Sequence, residues 1–147
     1  MPRHEDEHVR FDVPRRWEDR SVVAYAAPVE EGRVAPEVRV TRARLAPDED
    51  LEAFVRRQER ARAATEAGFT VHGRKRMEID TRPAVTLAAT RRDEGGARLA
   101  QRITMVHLPD RHVVTITMTA AHADLGQWAP LFARILQSFT FRPVAPP

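Results

Sequence analysis

The chain has 147 residues, which fits one domain, and its 24 Lys and Arg against 21 Asp and Glu give a formal net charge of +3. It contains no cysteine, which excludes disulfides, thiolate metal sites, cysteine nucleophiles and acyl-cysteine anchors. The charged first ten residues lack the apolar core of a signal peptide, and no run approaches the ~20 apolar residues of a membrane span. We therefore expect a soluble, cytoplasmic protein.

The positive charge has a simple explanation in composition. All but one of the basic residues are arginine, Lys75 being the exception, and acidic residues are interleaved with them throughout the chain. Long basic runs, which favour nucleic-acid binding, are absent from the sequence. We therefore expect the charge to be incidental and the partners to include no nucleic acid.

The first half of the chain predicts three strands and a helix. We expect one domain over residues 1–147, with frayed ends at about 1–8 and 142–147, and Trp17 packed on the sheet edge in a turn. The predicted strands are Val9–Val13, Ser21–Ala27 and Glu37–Leu45.

The predicted helix runs from about Leu51 to Ala67. Asp48 or Asp50 can cap its first turn, and Gly68 can end it. Its side chains at helical spacing form a mostly apolar stripe, which consists of Leu51, Phe54, Val55, Gln58, Ala61 and Thr65.

The second half begins with a strand, Phe69–Ile79, whose residues Phe69, Val71, Met77 and Ile79 share one parity. A three-stranded meander then follows from period-2 alternation and two turn signals. Its strands are Ala84–Thr90, Leu99–Leu108 and His112–Ala120.

The two faces of this meander differ in their side chains. We expect the larger, apolar face to be buried against the helices, and the small, threonine-rich face to be solvated or lightly covered. The apolar face comprises Val85, Leu87, Ala89, Leu99, Gln101, Ile103, Met105, Val114, Ile116 and Met118.

A second helix is expected within Leu125–Gln137. Asp124 can cap it, but Pro130 is best tolerated in a first turn, so the regular helix begins at either Leu125 or Pro130. The order of elements predicts an α+β fold, an antiparallel sheet of about six or seven strands with two helices packed on it; the family resemblance described below implies that this sheet is curved.

The sequence contains little that indicates catalysis. It has no glycine-rich phosphate loop, no His-Glu-x-x-His pair and no Gly-x-Ser-x-Gly elbow, and its histidines are scattered. We expect no enzymatic activity, no metal site and no cofactor.

Two glutamines interrupt the apolar pattern. Gln58 lies on the helix stripe, and Gln101 lies between Leu99 and Ile103 on a central strand. A buried amide without partners costs about 1–3 kcal/mol. Each glutamine therefore either bonds a neighbouring group within the core or points into a groove and bonds a partner.

Several segments together resemble the DcrB-related, Eag-type chaperones of type VI secretion systems. These are Asp12–Val22 (DVPRRWEDRSV), Leu51–Gln58 (LEAFVRRQ), Arg82–Ala84 (RPA), Ala100–Ile103 (AQRI), and Trp128 followed by Ile135–Phe139 (ILQSF). The order and spacing of these segments carry the resemblance over nearly the whole chain.

The resemblance implies a PsbP-like fold, a homodimer, and a cytoplasmic chaperone that shields apolar N-terminal, pre-transmembrane helices of a secreted effector beside its PAAR domain. In this family the client is held by apolar strand residues and glutamines. The resemblance places that role at Val22, Ala24, Val38, Val40, Gln58, Leu99, Gln101 and Ile103.

Two other classes of function remain open. A protein-binding module or immunity-like protein of the same fold would differ from the chaperone in lacking an adjacent gene for an effector with apolar N-terminal segments and a PAAR domain. A basic nucleic-acid-binding domain would be retained on DNA in a salt-dependent way.

Overall fold

The computed structural model describes residues 3–5, 10–12, 14–16 and 20–142. The strands are β1 (Arg3–Glu5), β2 (Arg10–Asp12), β3 (Val23–Ala26), β4 (Glu37–Arg44), β5 (Thr70–Ile79), β6 (Arg82–Arg92), β7 (Arg98–Leu108) and β8 (His112–Ala121). The helices are α1 (Leu51–Thr65), between β4 and β5, and α2 (Leu125–Gln137), after β8. The fold is α+β, as the sequence predicts.

The main sheet has six antiparallel strands in the order β3-β4-β8-β7-β6-β5. The meander β6-β7-β8 is confirmed, and it pairs residues of equal parity: Leu87 lies opposite Ile103, and Ile103 lies opposite Thr117. Odd-numbered residues of these strands therefore form one face and even-numbered residues form the other. We call them the α1 face and the α2 face, after the helix that packs on each.

The α1 face contains the first half of the core. Phe54 and Val55 are each 1% exposed and pack with Leu87, Ile103 and Met105 of the sheet. Asp50 caps the helix, since its Oδ1 accepts a hydrogen bond of 2.8 Å from the backbone N–H of Ala53. The helix ends at Thr65, two residues before the predicted end, and Gly68 lies beyond it with φ +67°.

The α2 face contains the second half of the core. Phe132 and Leu136 of α2 pack on Ile116 and Met118 of β8. The chain beyond α2 is anchored where the N–H of Phe141 donates a 2.8 Å hydrogen bond to Oδ2 of Asp80, in the turn between β5 and β6. Both faces of the central strands are therefore covered.

The helix α2 begins at Leu125, so Pro130 lies inside it rather than at its start. The predicted cap is wrong, because the side chain of Asp124 makes no capping hydrogen bond.

The predicted composition of the apolar meander face is wrong for its third strand. Val114, Ile116 and Met118 lie on the α2 face, opposite to Leu99 and Ile103. The sequence prediction placed all large residues together, but the register of Leu108 with His112 conserves parity across the turn. The second face is consequently buried under α2 rather than solvated.

A second prediction, that Phe69, Val71 and Met77 share one face, is wrong because β5 contains a β-bulge. The register with β6 shifts by one residue between Val71 and Gly73. Phe69 and Val71 therefore pack with the α1 core, while Met77 packs with the α2 core, although the sequence places all three on one face.

The predicted first strand does not join the main sheet. Arg10–Asp12 pairs instead with Arg3–Glu5, so residues 3–5 form a strand and not the expected frayed end. The side chains of Arg10, Phe11 and Asp12 are exposed. The predictions for Val9, Val13, Trp17 and 143–147 lie outside the described residues.

We predict that Phe54→Ala lowers the free energy of unfolding by about 3–5 kcal/mol, because it removes a fully buried ring and leaves a cavity. Arg56→Ala, an exposed change on the same helix, should stay within about 0.5 kcal/mol. Denaturant unfolding measures both, and equal losses would show that the ring is not part of the core.

We also predict acid sensitivity at the start of α1. Hydrogen bonds from the Arg57 guanidinium and then from the Ala46 N–H lower the pKa of Glu49 from 4.5 to about 2. This carboxylate stabilises the fold above pH 4.5, and the contribution is lost as the pH falls through about 2.

Replacing Glu49 by Gln should therefore lower the melting temperature at pH 7 and flatten its pH dependence between 4.5 and 2. Glu94→Gln, in the exposed turn after β6, is the control and should keep the wild-type profile. An unchanged profile in Glu49→Gln would contradict the role of this ion pair.

Candidate functional site

Helix α1 covers only part of its own sheet face. Ion pairs hold it toward the β5 side, with Glu52 and Arg76 at 3.0 Å and Glu59 and Arg74 at 2.7 Å. Among the described residues, the core that packs on α1 draws its strand residues from β5, β6, β7 and the start of β8. The strands β4 and β3 on the other side of the sheet contribute none.

The uncovered part of this face is built from small and hydroxylated side chains. Strand register extends the α1 face from β8 onto β4 and β3, because Thr117 lies opposite Arg39, and Arg39 opposite Ala24. We call this surface the alanine–threonine face, and it consists of Ala24, Ala26, Glu37, Arg39, Thr41, Ala43, Thr115, Thr117 and Thr119.

Exposure increases across this surface away from the helix. Thr115 and Thr117 on β8 are each 9% exposed, whereas Ala43 on β4 and Ala24 on β3 are exposed. The set has two charged residues, and they pair with each other: Arg39 Nε donates to the Glu37 carboxylate at 2.9 Å on the same strand. The surface is therefore open on β4 and β3, and its two charged side chains are paired with each other.

One flank of α1 forms a wall beside this floor. Gln58, Ala61 and Thr65 follow each other at helical spacing, and all three are partly or fully exposed. Arg62 lies beneath them and donates a 3.2 Å hydrogen bond to Oγ1 of Thr117. Burial lowers the pKa of Arg62 from its ordinary value, although the nearby Glu66 carboxylate opposes this effect.

The packing beneath α1 changes from apolar to polar along the helix. The first two turns of α1 cover the core. Near the end of the helix, the Glu66 carboxylate instead forms ion pairs with Arg62 at 3.6 Å and with Arg91 at 3.5 Å. Gln101 lies in this polar half and is only 3% exposed. Its Nε2 donates to Oγ1 of Thr119 at 3.2 Å, and its Oε1 is buried without a hydrogen-bond partner.

The eight residues predicted to hold a client lie at different places in the structure. Ala24 lies on the alanine–threonine face, Gln58 on its wall, and Gln101 beneath its border with α1. Leu99 and Ile103 also point to the α1 face, but they are 4% and 0% exposed. Val22, 49% exposed, directly precedes β3.

Val38 and Val40 are separated from the other six. They lie on the α2 face, where they pack against the second core. Their even numbering on β4 places them on the side of the sheet opposite to Ala24 and Gln101. The eight residues therefore do not line one groove.

Sequence reasoning missed most of the open surface. Thr115, Thr117 and Thr119 were placed on the face opposite to Gln101, although Thr119 is its hydrogen-bond partner. Only the register of β7 with β8 could correct this, because the alternation within β8 is the same in either orientation.

No metal-binding group of three or more His, Asp or Glu side chains occurs in the parts of the chain that the structure describes. A concavity of about 790 Å³ lies at the start of α1, where apolar Leu51 and Val85 meet charged Glu52 and Arg76. Within the same described residues, no helix is both long and apolar enough to cross a membrane.

We predict that Gln101→Leu leaves the melting temperature equal or raises it, because leucine removes a buried oxygen that has no partner. The control is Thr104→Val on the same strand, which removes a 2.8 Å hydrogen bond to Thr86 and should cost about 1 kcal/mol. A loss of several kcal/mol in Gln101→Leu would make this amide part of the core.

Comparison with solved structures identifies the fold. PA94 of Pseudomonas aeruginosa, described as a protein of unknown function, matches with a TM-score of 0.80 at 23% identity, over 98% of this chain and 99% of that one. LpqN of Mycobacterium tuberculosis, described as involved in cell envelope biogenesis, has a TM-score of 0.60 at 11% identity, over 84% and 85% of the two chains. A search of curated proteins by sequence finds no match.

The PsbP-like fold expected from the sequence is confirmed. The solution structure of the cyanobacterial PsbP protein of Synechocystis sp. PCC 6803 matches with a TM-score of 0.54 at 11% identity, over 96% of this chain and 92% of that one. The family model for DcrB matches residues 9–138, nearly the whole sequence. The chain therefore belongs to the DcrB family.

Proposed function

We propose that this DcrB-family protein is a non-enzymatic chaperone that holds apolar, pre-transmembrane helices of a type VI secretion effector in the cytoplasm until the effector is loaded. The observation that carries this proposal is the alanine–threonine face: a sheet surface beside a helix, built mostly from small side chains and exposed to solvent on β4 and β3.

The dimensions of this surface suit one helix. The two exposed strands, β4 and β3, at ~4.8 Å each provide a floor of roughly 10 Å, and a helix with its side chains is ~10 Å across. The flank of α1 with Gln58 and Ala61 stands at one side of this floor. A client helix can therefore lie on the floor and contact the wall at the same time.

The chemistry of the surface suits an apolar client that must be released later. Alanine side chains let a helix approach closely, and threonine hydroxyls and Gln58 can bond its exposed Ser, Thr or backbone groups. Covering apolar surface is worth about 25 cal/mol per Å², so even partial cover keeps such a helix from aggregating. Neither contact requires a particular client sequence.

The residues that the resemblance implicates then take different roles. Ala24 and Gln58 contact the client, whereas Gln101, which is 3% exposed, lies beneath the border of the floor and supports it. Leu99 and Ile103 support this border from within the core. Val38 and Val40 pack on α2 and act only by holding β4 in place.

The proposal is tested by co-expressing an effector fragment that carries the apolar segment and the PAAR domain. We predict that the fragment is insoluble alone, soluble with this protein, and bound to two copies of it. Ala43→Arg should abolish co-purification, because it places a charge on the floor without touching the core. Ala64→Arg, an equally exposed change on α1, is the matched control and should bind normally.

Deleting the apolar segment from the fragment should abolish binding, whereas deleting the toxin domain should not. The proposal fails if binding survives loss of the apolar segment, or if Ala43→Arg captures the fragment as well as Ala64→Arg does.

A further inference from the structure

Two arginines face each other at one end of the sheet, beyond the cover of α2. Arg92 and Arg98 are directly opposite in the pairing of β6 with β7. Their even numbers place both on the α2 face. From these two strands the α2 core takes Ala84, Val106 and Leu108, which lie at the ends far from the arginines. Both arginines are therefore left exposed.

This pair differs from the other strand and helix arginines in its lack of carboxylate partners. Six arginines each lie between 2.7 and 3.6 Å from a glutamate, and these are Arg39, Arg57, Arg62, Arg74, Arg76 and Arg91. Within the residues that the structure describes, neither Arg92 nor Arg98 forms an ion pair. Like charges directly opposite each other in an antiparallel pair destabilise the sheet.

The acidic residues nearest in sequence do not neutralise this charge. Asp93 and Glu94 lie in the turn between the two strands, where Oδ1 of Asp93 accepts the N–H of Ala97 at 2.8 Å. Glu94 forms no ion pair in the described part of the chain. The charged residues that β6 and β7 place on the α2 face are all arginines, namely Arg82, Arg92, Arg98 and Arg102. A counter-charge for the facing pair must therefore come from outside the described residues.

A small polar cavity of about 260 Å³ lies beside the two arginines. Thr70 and Thr90, which are opposite each other on β5 and β6, line it together with Gly68 and with His72 at the β-bulge. At ~30 Å³ per water molecule, the cavity has the volume of about nine waters. It is smaller than the ~300 Å³ at which sites for drug-sized ligands begin. The cavity therefore suits one small anionic group.

The contacts around the cavity place its donors. The side chain of Arg92 runs beside Gly68, and its Nη1 donates to the carbonyl oxygen of Gly96 at 3.1 Å. His72 Nε2 and Thr90 Oγ1 are 2.7 Å apart, and when Nε2 donates, the hydroxyl proton of Thr90 stays available. The guanidinium of Arg98 has no hydrogen-bond partner among the described residues.

We infer that Arg92, Arg98 and Thr90 form a site for the phosphate group of a phosphomonoester or of inorganic phosphate. Arginine presents its N–H groups in a fork that matches phosphate oxygens. A phosphomonoester carries a charge of about −1.5 to −2 at pH 7 and three acceptor oxygens, so one group serves both arginines and the hydroxyl. A carboxylate has one charge and two oxygens, and would neutralise only one arginine.

The other residues of the cavity position these donors. His72 orients the Thr90 hydroxyl, and Thr70 closes the cavity wall, since its Oγ1 donates to the carbonyl oxygen of Gly68 at 3.2 Å. Arg91 also borders the cavity, but its charge is already paired with Glu66. The site lies on the face of the sheet opposite to the alanine–threonine face, so it does not depend on the proposed function.

Calorimetric titration with inorganic phosphate, at an ionic strength held constant with chloride, tests the site directly. Arg98→Gln should weaken binding about tenfold or more, because it removes charge-assisted hydrogen bonds. Thr90→Val should weaken it about two- to tenfold, the effect of one neutral hydrogen bond. Arg44→Gln is the matched control and should bind normally, because Arg44 is an exposed strand arginine that likewise forms no ion pair among the described residues.

Thermal unfolding separates a ligand-binding arginine from a structural one. Without phosphate, Arg98→Gln should melt at the same or a higher temperature than the wild type, because the facing like charges are relieved. With phosphate, the melting temperature of the wild type and of Arg44→Gln should rise by more than that of Arg98→Gln, since ligand binding stabilises the folded state. The comparison between variants removes the general stabilising effect of phosphate.

Two further probes distinguish the sources of the phosphate group. Glycerol 3-phosphate carries it in solution, and phosphatidic acid in phosphatidylcholine vesicles carries it as a lipid headgroup. Binding of glycerol 3-phosphate alone assigns a soluble ligand. Sedimentation with the phosphatidic acid vesicles that is lost in Arg98→Gln assigns the headgroup, and either result supports the site.

The inference is overturned if the wild type binds none of these three phosphate probes, or if Arg98→Gln binds them as tightly as the wild type. It is also overturned if acetate, a carboxylate with a single charge, binds as tightly as phosphate. A lower melting temperature of Arg98→Gln in the absence of phosphate would show that this arginine serves the fold instead.

Discussion

The arrangement of the structure depends on one constraint: its helices are too short to cover both faces of the sheet completely. A six-stranded sheet presents two faces, and the described residues supply two α-helices, of 15 and 13 residues, to bury them. Each helix is placed where the strands carry their largest apolar side chains, α1 over β6 and β7, and α2 over β8. Since neither helix spans all six strands, part of each face must be closed by small residues or stay open to solvent.

The sheet meets this constraint differently on its two faces. On the α2 face, the chain after the helix continues past Phe139 and is tied to the β5–β6 turn through Asp80, which extends the cover. On the α1 face, no such extension occurs among the described residues, and ion pairs to Arg74 and Arg76 draw the helix toward β5. The strands β4 and β3 on that face therefore carry alanine, threonine and an ion pair of Arg39 with Glu37, all of which tolerate water.

The polar half of α1 marks the border between the closed and open parts of this face. Arg62, Glu66 and Gln101 lie where the apolar core ends. Arg62 donates to Thr117 and Gln101 donates to Thr119, while Glu66 forms ion pairs with arginines. Buried polar side chains add little to stability unless all of their hydrogen-bonding atoms have partners, and Oε1 of Gln101 has none. This border therefore contributes less to the stability of the fold than the apolar core does. In the proposed function it supports the surface that holds the client.

The sequence by itself determined the α+β class, the three strands of the meander, the Asp50 cap and most of α1, because each follows from local periodicity and turn chemistry. It also singled out Gln58 and Gln101 as exceptions to the apolar pattern. Only the tertiary structure decided which residues share a face. A one-residue bulge near His72 and the pairing of Leu108 with His112 set side-chain direction for whole strands, and neither register is encoded in the alternation of one strand. For that reason the separation of Val38 and Val40 from Ala24, and the open surface itself, could be seen only in the folded chain.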